Sequence, residues 1–358
     1  MKNYLWTWGP IWLFVGVVER VGSALIDFAE AAYNLELEHD DWLPALLEAG
    51  APMFDQGLGS FALTCTRPPE MGPLVIHQLH ARSHVDDLAD RVLRSERQIP
   101  PEVVWTLSRP TMPQTLSEAA GQNLEAFHLV MRHFDFAKDG LGISAFDPSG
   151  DGVYLIAPLP KVTNLSERFR ERCQMLAAHF GAGYRLRLAL AKPGPEPATP
   201  LPHGAEVVID PNGFRVVGAE GRAKARGARA ALRSAAIQID QSRGRLREID
   251  PEKALELWTA LVRGRWSTVD WFDSDGRRFV LGLPNAPKTG DPRGLTEREH
   301  RVVAYALSGQ TNKLIAYQLG LSKGRVSTLM TSAMRKLGVQ TRAQLIKRFR
   351  DFGAIHSD

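Results

Sequence analysis

The residues with the clearest chemistry are the cationic side chains near the C-terminal end of the chain. Residues 290–358 carry twelve Lys or Arg and five Asp or Glu, whereas the rest of the chain carries 32 and 35, so the basic excess belongs to the last fifth. A basic cluster of this size suits a polyanion such as duplex DNA. On charge alone, a solvated basic surface explains the segment equally well.

Four short helices are predicted to position these charges. Thr296 and Glu299 have the spacing of a capping box, in which each side chain bonds the other residue's backbone at a helix start. The first helix then extends to about Leu307, where Ser-Gly ends it. The same signals predict the other three helices: Asn312 to Leu319, a Ser322-capped helix to Leu337, and one that begins at the capping box of Thr341 and Gln344.

Three small or compact residues have the spacing that a helix-turn-helix requires. Its second helix needs a small inward residue, its turn needs a positive φ, and its third helix needs a compact buried anchor. Ala316, Gly320 and Val326 occupy these positions, and the remaining core is predicted from Ile315, Leu319, Leu321 and Leu329. The alternative is a set of four amphipathic helices with no role in DNA binding.

The stretch LTEREHRVVAYALSGQTNKLIAYQLGLSKGRVSTLMTSAMRKLGVQTRAQLI resembles the LuxR-type helix-turn-helix family over its whole length, about a fifth of the chain. The resemblance implies a bacterial transcriptional regulator that inserts its third helix into the major groove of double-stranded DNA. It also implies a homodimer that pairs through the fourth helix on inverted half-sites. By position, the family's base-reading residues are Ser327, Thr328 and Thr331, and its phosphate contacts are Lys313, Lys323, Arg325, Arg335 and Lys336.

The third helix departs from the usual family pattern. Members commonly carry Thr-Val-Lys followed by a histidine, whereas this chain has Arg325-Val326-Ser327, with Leu329 in place of the histidine. A lysine is a strong donor to guanine, while hydroxyl groups can donate to or accept from several bases. The protein is therefore expected to discriminate less strongly between DNA sequences. The amino-acid sequence does not identify the operator.

The N-terminal part has the element order of a mixed α+β fold with antiparallel sheets. Hairpins are predicted at 59–66 with 74–80 and at 142–146 with 152–157, among helices that include 17–33 and 166–190. This order resembles a GAF-like sensory domain, a fold similar to PAS. A second unit, with hairpins at 206–217 and 268–283, resembles a small PAS-like module.

The chain is therefore predicted to be a multidomain α+β protein with an all-α C-terminal domain of four helices. The Pro-rich stretch 192–203 predicts a stiff interdomain linker. The predicted boundaries are an apolar extension at 1–18, a GAF-like domain at 19–191, that linker, a PAS-like module at 204–285, a short linker at 286–290 and the helix-turn-helix domain at 291–356.

The apolar run Tyr4 to Val18 is too short for a helical membrane span and lacks a clear cleavage site before Glu19. A signal peptide and a start codon assigned too early are the alternatives for this extension. Because export would separate the basic domain from DNA, a cytoplasmic protein is expected. The two cysteines, Cys65 and Cys173, are interpreted as small buried hydrophobic residues of a protein in a reducing compartment.

Motifs that would indicate another chemistry are missing from the sequence. No nucleophile elbow, phosphate loop or zinc-hydrolase motif is present, so we expect no enzymatic activity, no cofactor and no metal site. The N-terminal region also lacks the phosphoacceptor pattern of receiver domains and the Trp, Tyr and Asp spacing that quorum-sensing members use for acyl-homoserine lactones. An unknown small-molecule or protein effector is therefore expected.

Two other functions compete with a ligand-responsive regulator. A sigma-factor-like polymerase subunit would need a second promoter-binding helical region, which the sequence does not contain. A small-molecule-binding or catalytic module with a vestigial helix-turn-helix tail remains the alternative from a different class.

Overall fold

Five antiparallel strands form the first sheet of the protein. The computed structural model describes residues 12–68, 72–83, 85, 87–107, 113–147, 149–191, 199–287 and 295–346. The strand order in this sheet is β2-β1-β5-β4-β3. Both predicted hairpins are confirmed, and the pairing of β1 with β5 joins them into one sheet. The strands are β1 Ser60–Thr66, β2 Val75–Arg82, β3 Gln114–Thr115, β4 Asp139–Phe146 and β5 Asp151–Leu159.

Helices cover both faces of this sheet. Successive side chains of a strand point to opposite faces, so Ala62 packs with α1, α2 and α7, while Phe61 and Leu63 pack with α3 on the other side. Among the described residues, the helices of this part are α1 Trp12–Tyr33, α2 Trp42–Phe54, α3 Leu88–Gln98, α4 Pro101–Leu107, α5 Leu116–Ala120, α6 Leu124–Met131 and α7 Glu167–Ala191. Cys65 and Cys173 are both buried free thiols, and burial raises the pKa of Cys65 to about 12.

A second, smaller sheet follows, with the order β7-β6-β9-β8. The long helix α8 packs Ala228 and Leu232 against Val207 and Ile209 of this sheet. The predicted hairpins are confirmed here as well. The elements are β6 Val207–Asp210, β7 Arg215–Ala219, α8 Arg226–Arg243, α9 Leu246–Ile249, α10 Pro251–Leu257, β8 Trp266–Phe272 and β9 Arg278–Pro284.

The two sheet-containing parts share one apolar core around α7. Phe180 of α7 and Ile143 of the first sheet belong to the same buried cluster as Trp258 and Leu281 of the second part. Within the described ranges, no helix is both long and apolar enough to cross a membrane. Residues 1–11 of the predicted extension, 192–198 of the predicted linker and 288–290 lie outside the described residues.

Three helices and the start of a fourth form the C-terminal part. They are α11 Glu297–Leu307, α12 Asn312–Leu319 and α13 Lys323–Lys336, and residues 342–346 are helical before the described range ends. Their shared core contains Val302, Ile315, Val326 and Leu345, all at 0% exposure. This core also takes in Leu261 from the preceding part of the chain.

Candidate DNA-binding site

Hydrogen bonds at the helix starts match the predicted capping residues. The Thr296 hydroxyl accepts from the Glu299 amide at 3.3 Å, and the Glu299 carboxylate accepts from the Thr296 amide at 2.8 Å. The Ser322 hydroxyl accepts from the Arg325 amide at 3.2 Å. The box of Thr341 and Gln344 is also formed. Sequence reasoning missed the Thr311 cap of α12, although a threonine directly before a helical run is itself the usual signal.

The turn between α12 and α13 has the geometry that the glycine predicted. Gly320 adopts φ 57° and ψ 44°, in the left-handed region that glycine enters at little cost. Ala316 and Val326 are buried on either side of it, as the spacing requires. Ile315, Leu319 and Leu329 are buried in the same core, and Leu321 is half-buried against it. The turn and the buried residues on either side of it therefore match the pattern predicted for a helix-turn-helix.

The outer face of α13 is exposed along its length. Ser327, Thr328 and Thr331 point away from the core, together with Lys323, Arg325 and Arg335. The Thr328 hydroxyl donates to the Gly324 carbonyl at 2.9 Å, which leaves its oxygen able to accept from a base. This face thus combines neutral hydrogen-bonding groups with flanking cations.

The profile of the family described as bacterial regulatory proteins, luxR family, matches residues 293–349. Residues 293–349 form a LuxR-type helix-turn-helix domain. The crystal structure of Escherichia coli SdiA is similar at 11% identity over 93% of this chain and 95% of that chain, with a TM-score of 0.29. A search of curated proteins finds no match to the chain.

Two of the predicted phosphate-contacting cations of the LuxR-type domain are paired with carboxylates. Lys313 Nζ lies 2.7 Å from Glu171 Oε1 of α7, and Lys336 Nζ lies 2.7 Å from Glu299 Oε2. The Lys313 pair is half-exposed, and a solvated ion pair of this kind contributes little to stability. Lys313 can therefore separate from Glu171 at small cost.

Glu299 makes more hydrogen bonds than its capping role requires. Its buried carboxylate accepts hydrogen bonds from Lys336, Ser332 and Thr296. Burial alone would raise the pKa of Glu299, but these donors outweigh burial and lower the pKa to about 2. The carboxylate thus ties the start of α11 to the C-terminal half of α13.

We expect Glu299→Gln to make the domain less stable at neutral pH and less sensitive to acid. Because the folded pKa of Glu299 is depressed, its contribution is complete above about pH 4.5 and is lost as the pH falls towards 2. Loss of the charged hydrogen bonds should cost roughly 2 kcal/mol at pH 7. Urea unfolding between pH 2 and pH 7 measures this, and a difference between the two proteins that stays constant with pH would contradict it.

The LuxR-type domain is docked on the rest of the protein through α12. The Tyr317 hydroxyl lies 2.6 Å from His179 Nε2 of α7 and within 3.0 Å of the Leu255 and Trp258 carbonyl oxygens. His179 is fully buried, and burial lowers its pKa to about 3, so the ring is neutral. Tyr33 lies 3.3 Å from the other ring nitrogen. Sequence reasoning missed this cluster because its members come from four distant segments.

A cavity of about 200 Å³ lies between the first sheet and helices α3 to α6. Its wall is mainly apolar, with Phe61, Val92 and Phe134 among its residues. Glu96 and Asp139 are acidic residues of the same wall. Burial raises the pKa of Glu96 above its ordinary value, while a hydrogen bond from the Leu74 backbone opposes this. The cavity is large enough for a small, mostly apolar molecule.

Proposed function

We propose that this protein is a DNA-binding transcriptional regulator in which N-terminal sensory or interaction domains, at residues 19–285, control the LuxR-type output domain at 291–356. The observation that carries the proposal is the exposed face of α13. A helix that buries Val326 and Leu329 and presents hydroxyl groups beside cations is suited to the major groove.

In this proposal, Ser327, Thr328 and Thr331 contact base edges, while Lys323, Arg325 and Arg335 contact phosphates. Lys313 becomes a phosphate contact by exchanging Glu171 for DNA, and Lys336 contacts a phosphate while it keeps its hydrogen bond to Glu299. The protein acts in the bacterial cytoplasm, binds as a homodimer on inverted half-sites, and has no catalytic role.

The cavity supports a sensory role for the GAF-like part. Helix α7 contacts both that part and the output domain. At the N-terminal end of α7, Arg170 forms an ion pair with Glu118. The Glu118 carboxylate also accepts a hydrogen bond from the Thr115 amide, and Thr115 lines the cavity. Further along, Glu171 pairs with Lys313 and His179 bonds Tyr317. A molecule that moves the cavity wall can therefore shift the helix on which the LuxR-type domain is docked.

Selection of binding sequences from a random duplex library tests the DNA-binding function. The full-length protein should enrich inverted repeats, and Arg325→Ala/Arg335→Ala should weaken binding to every sequence and flatten the salt dependence by about two phosphate contacts. Thr328→Ala serves as the contrasting variant, because it should change sequence preference and leave the salt slope unchanged.

Absence of DNA binding by the folded protein, even at low salt and with small apolar molecules added, would contradict this function. That outcome would favour the alternative, a small-molecule-binding or catalytic module with a vestigial helix-turn-helix tail.

A further inference from the structure

A run of cations without acids lies outside the LuxR-type domain. Residues 221–239 contain one lysine and four arginines and no Asp or Glu. Three of these arginines, Arg226, Arg229 and Arg233, follow one another at spacings of three and four residues on α8, so they share one face of the helix. All three are exposed, and the opposite face packs on the second sheet.

These arginines conflict with the local requirements of their own helix. Like charges three or four residues apart repel each other, and cations near a helix N-terminus oppose the helix dipole. The first turn of α8 contains no acidic residue, and its N-cap residue, Ala225, makes no side-chain capping bond. A local conflict of this kind is expected where the residues serve a partner and not the fold.

The surroundings leave the positive charge of the three arginines uncompensated. Among the described residues, none of the three forms an ion pair, and the polar contact of Arg233 is with the Phe214 carbonyl oxygen at 2.9 Å. Two acids of neighbouring segments have other cationic partners: Glu220 pairs with Lys224, and Glu297 pairs with Arg301.

Arg263 connects this face to the start of α13. A Cβ atom placed on Gly227, in the first turn of α8, would lie 3.5 Å from the guanidinium nitrogens of Arg263. A Cβ atom placed on Gly320, in the turn before α13, would lie 3.2 Å from the Arg263 amide nitrogen. Arg263 is exposed and has a positive φ of 54°. Arg263 therefore lies between the first turn of α8, which carries Arg226 and Arg229, and the turn that precedes α13.

We propose that Arg226, Arg229, Arg233 and Arg263 form a second DNA contact surface, the basic ridge, which binds the phosphate backbone flanking the sequence read by α13. This inference rests on the proposed function, because the basic ridge binds the same DNA duplex as α13. Arginine presents a planar fork of donors that matches phosphate oxygens, and the partner class is double-stranded DNA with no requirement for base sequence. From Arg226 to Arg233 the ridge is about 10 Å long, which spans roughly three base pairs of rise.

The test compares two triple variants of the full-length protein, each with three fewer positive charges. The ridge variant is Arg226→Gln/Arg229→Gln/Arg233→Gln. The control is Arg97→Gln/Lys138→Gln/Lys161→Gln, which removes three exposed cations of the first part of the chain. Binding is measured over a salt series to two duplexes. One is a duplex of about 40 base pairs that contains a sequence selected by the full-length protein. The other is the same sequence trimmed to its recognised core.

On the long duplex, the ridge variant should bind at least about tenfold more weakly than the control, with a salt slope flatter by about two to three. On the trimmed duplex, both variants should bind equally. Thermal unfolding of the ridge variant should be unchanged or slightly raised, because repulsion within α8 is removed.

Equal binding of the two variants to the long duplex would overturn the basic ridge. So would an equal loss on the long and trimmed duplexes, because that loss would come from the LuxR-type domain. A failure of the proposed function is distinguishable from both, since the unaltered protein would then bind neither duplex.

Discussion

Replacing Gly320 by alanine should detach the LuxR-type domain from the rest of the protein. The new Cβ atom would lie 1.6 Å from the Leu261 carbonyl oxygen, which is far shorter than the contact distance of two non-bonded atoms. Because that oxygen belongs to the backbone, the two segments must separate. The positive φ adds a cost of about 1–2 kcal/mol for a residue with a side chain.

Gly338 provides a matched control for this substitution. It has a φ of 66°, close to that of Gly320, and a Cβ atom on it would meet no other atom within 4 Å. Gly338→Ala should therefore cost only the conformational strain, about 1–2 kcal/mol. The difference between the two variants isolates the contact with Leu261.

Calorimetry and hydrogen exchange measure the result. Gly320→Ala should lose at least about 4 kcal/mol of stability, and faster amide exchange should extend from residues 261–264 into α12. Equal effects of the two alanines would mean that the domain is not held at this turn.

The helix-turn-helix could be predicted from sequence because its constraints are local. Capping boxes join residues three apart, and Ala316, Gly320 and Val326 lie within eleven positions of one another. The same reasoning located the β hairpins, since turn residues and alternating apolar residues define them over short stretches. In these segments local and tertiary preferences agree.

Contacts between distant segments could not be predicted in this way. Gly320 was expected for its backbone conformation alone, but the structure adds a second reason, the close approach of Leu261. His179 lies within a long helical run and its tyrosine partners are 146 and 138 positions away, so no pattern in the sequence connects them. The roles of the base-reading and phosphate-contacting residues, and the domain boundaries, stay predictions.

Replacing Tyr317 by phenylalanine should loosen the same junction without steric overlap. The ring and its packing remain, but His179 Nε2 and the Leu255 and Trp258 carbonyl groups lose the hydroxyl between them. An unsatisfied buried polar group costs about 1–3 kcal/mol, so a total loss of roughly 2–4 kcal/mol is expected. Tyr33→Phe is the control, because Tyr33 bonds the other nitrogen of the same histidine and the Ala260 carbonyl and does not belong to the LuxR-type domain.

Both tyrosine variants should lower the melting temperature, but only Tyr317→Phe should change how DNA is bound. In the proposed homodimer, docking of both output domains would fix the distance between the two α13 helices, and with it the preferred spacing of half-sites. With the dock loosened, affinity should become nearly independent of spacer length. Binding to inverted repeats with spacers varied one base pair at a time measures this. If Tyr317→Phe kept the spacer preference of the unaltered protein while losing stability, the dock would stabilise the fold but would not set the DNA-binding geometry.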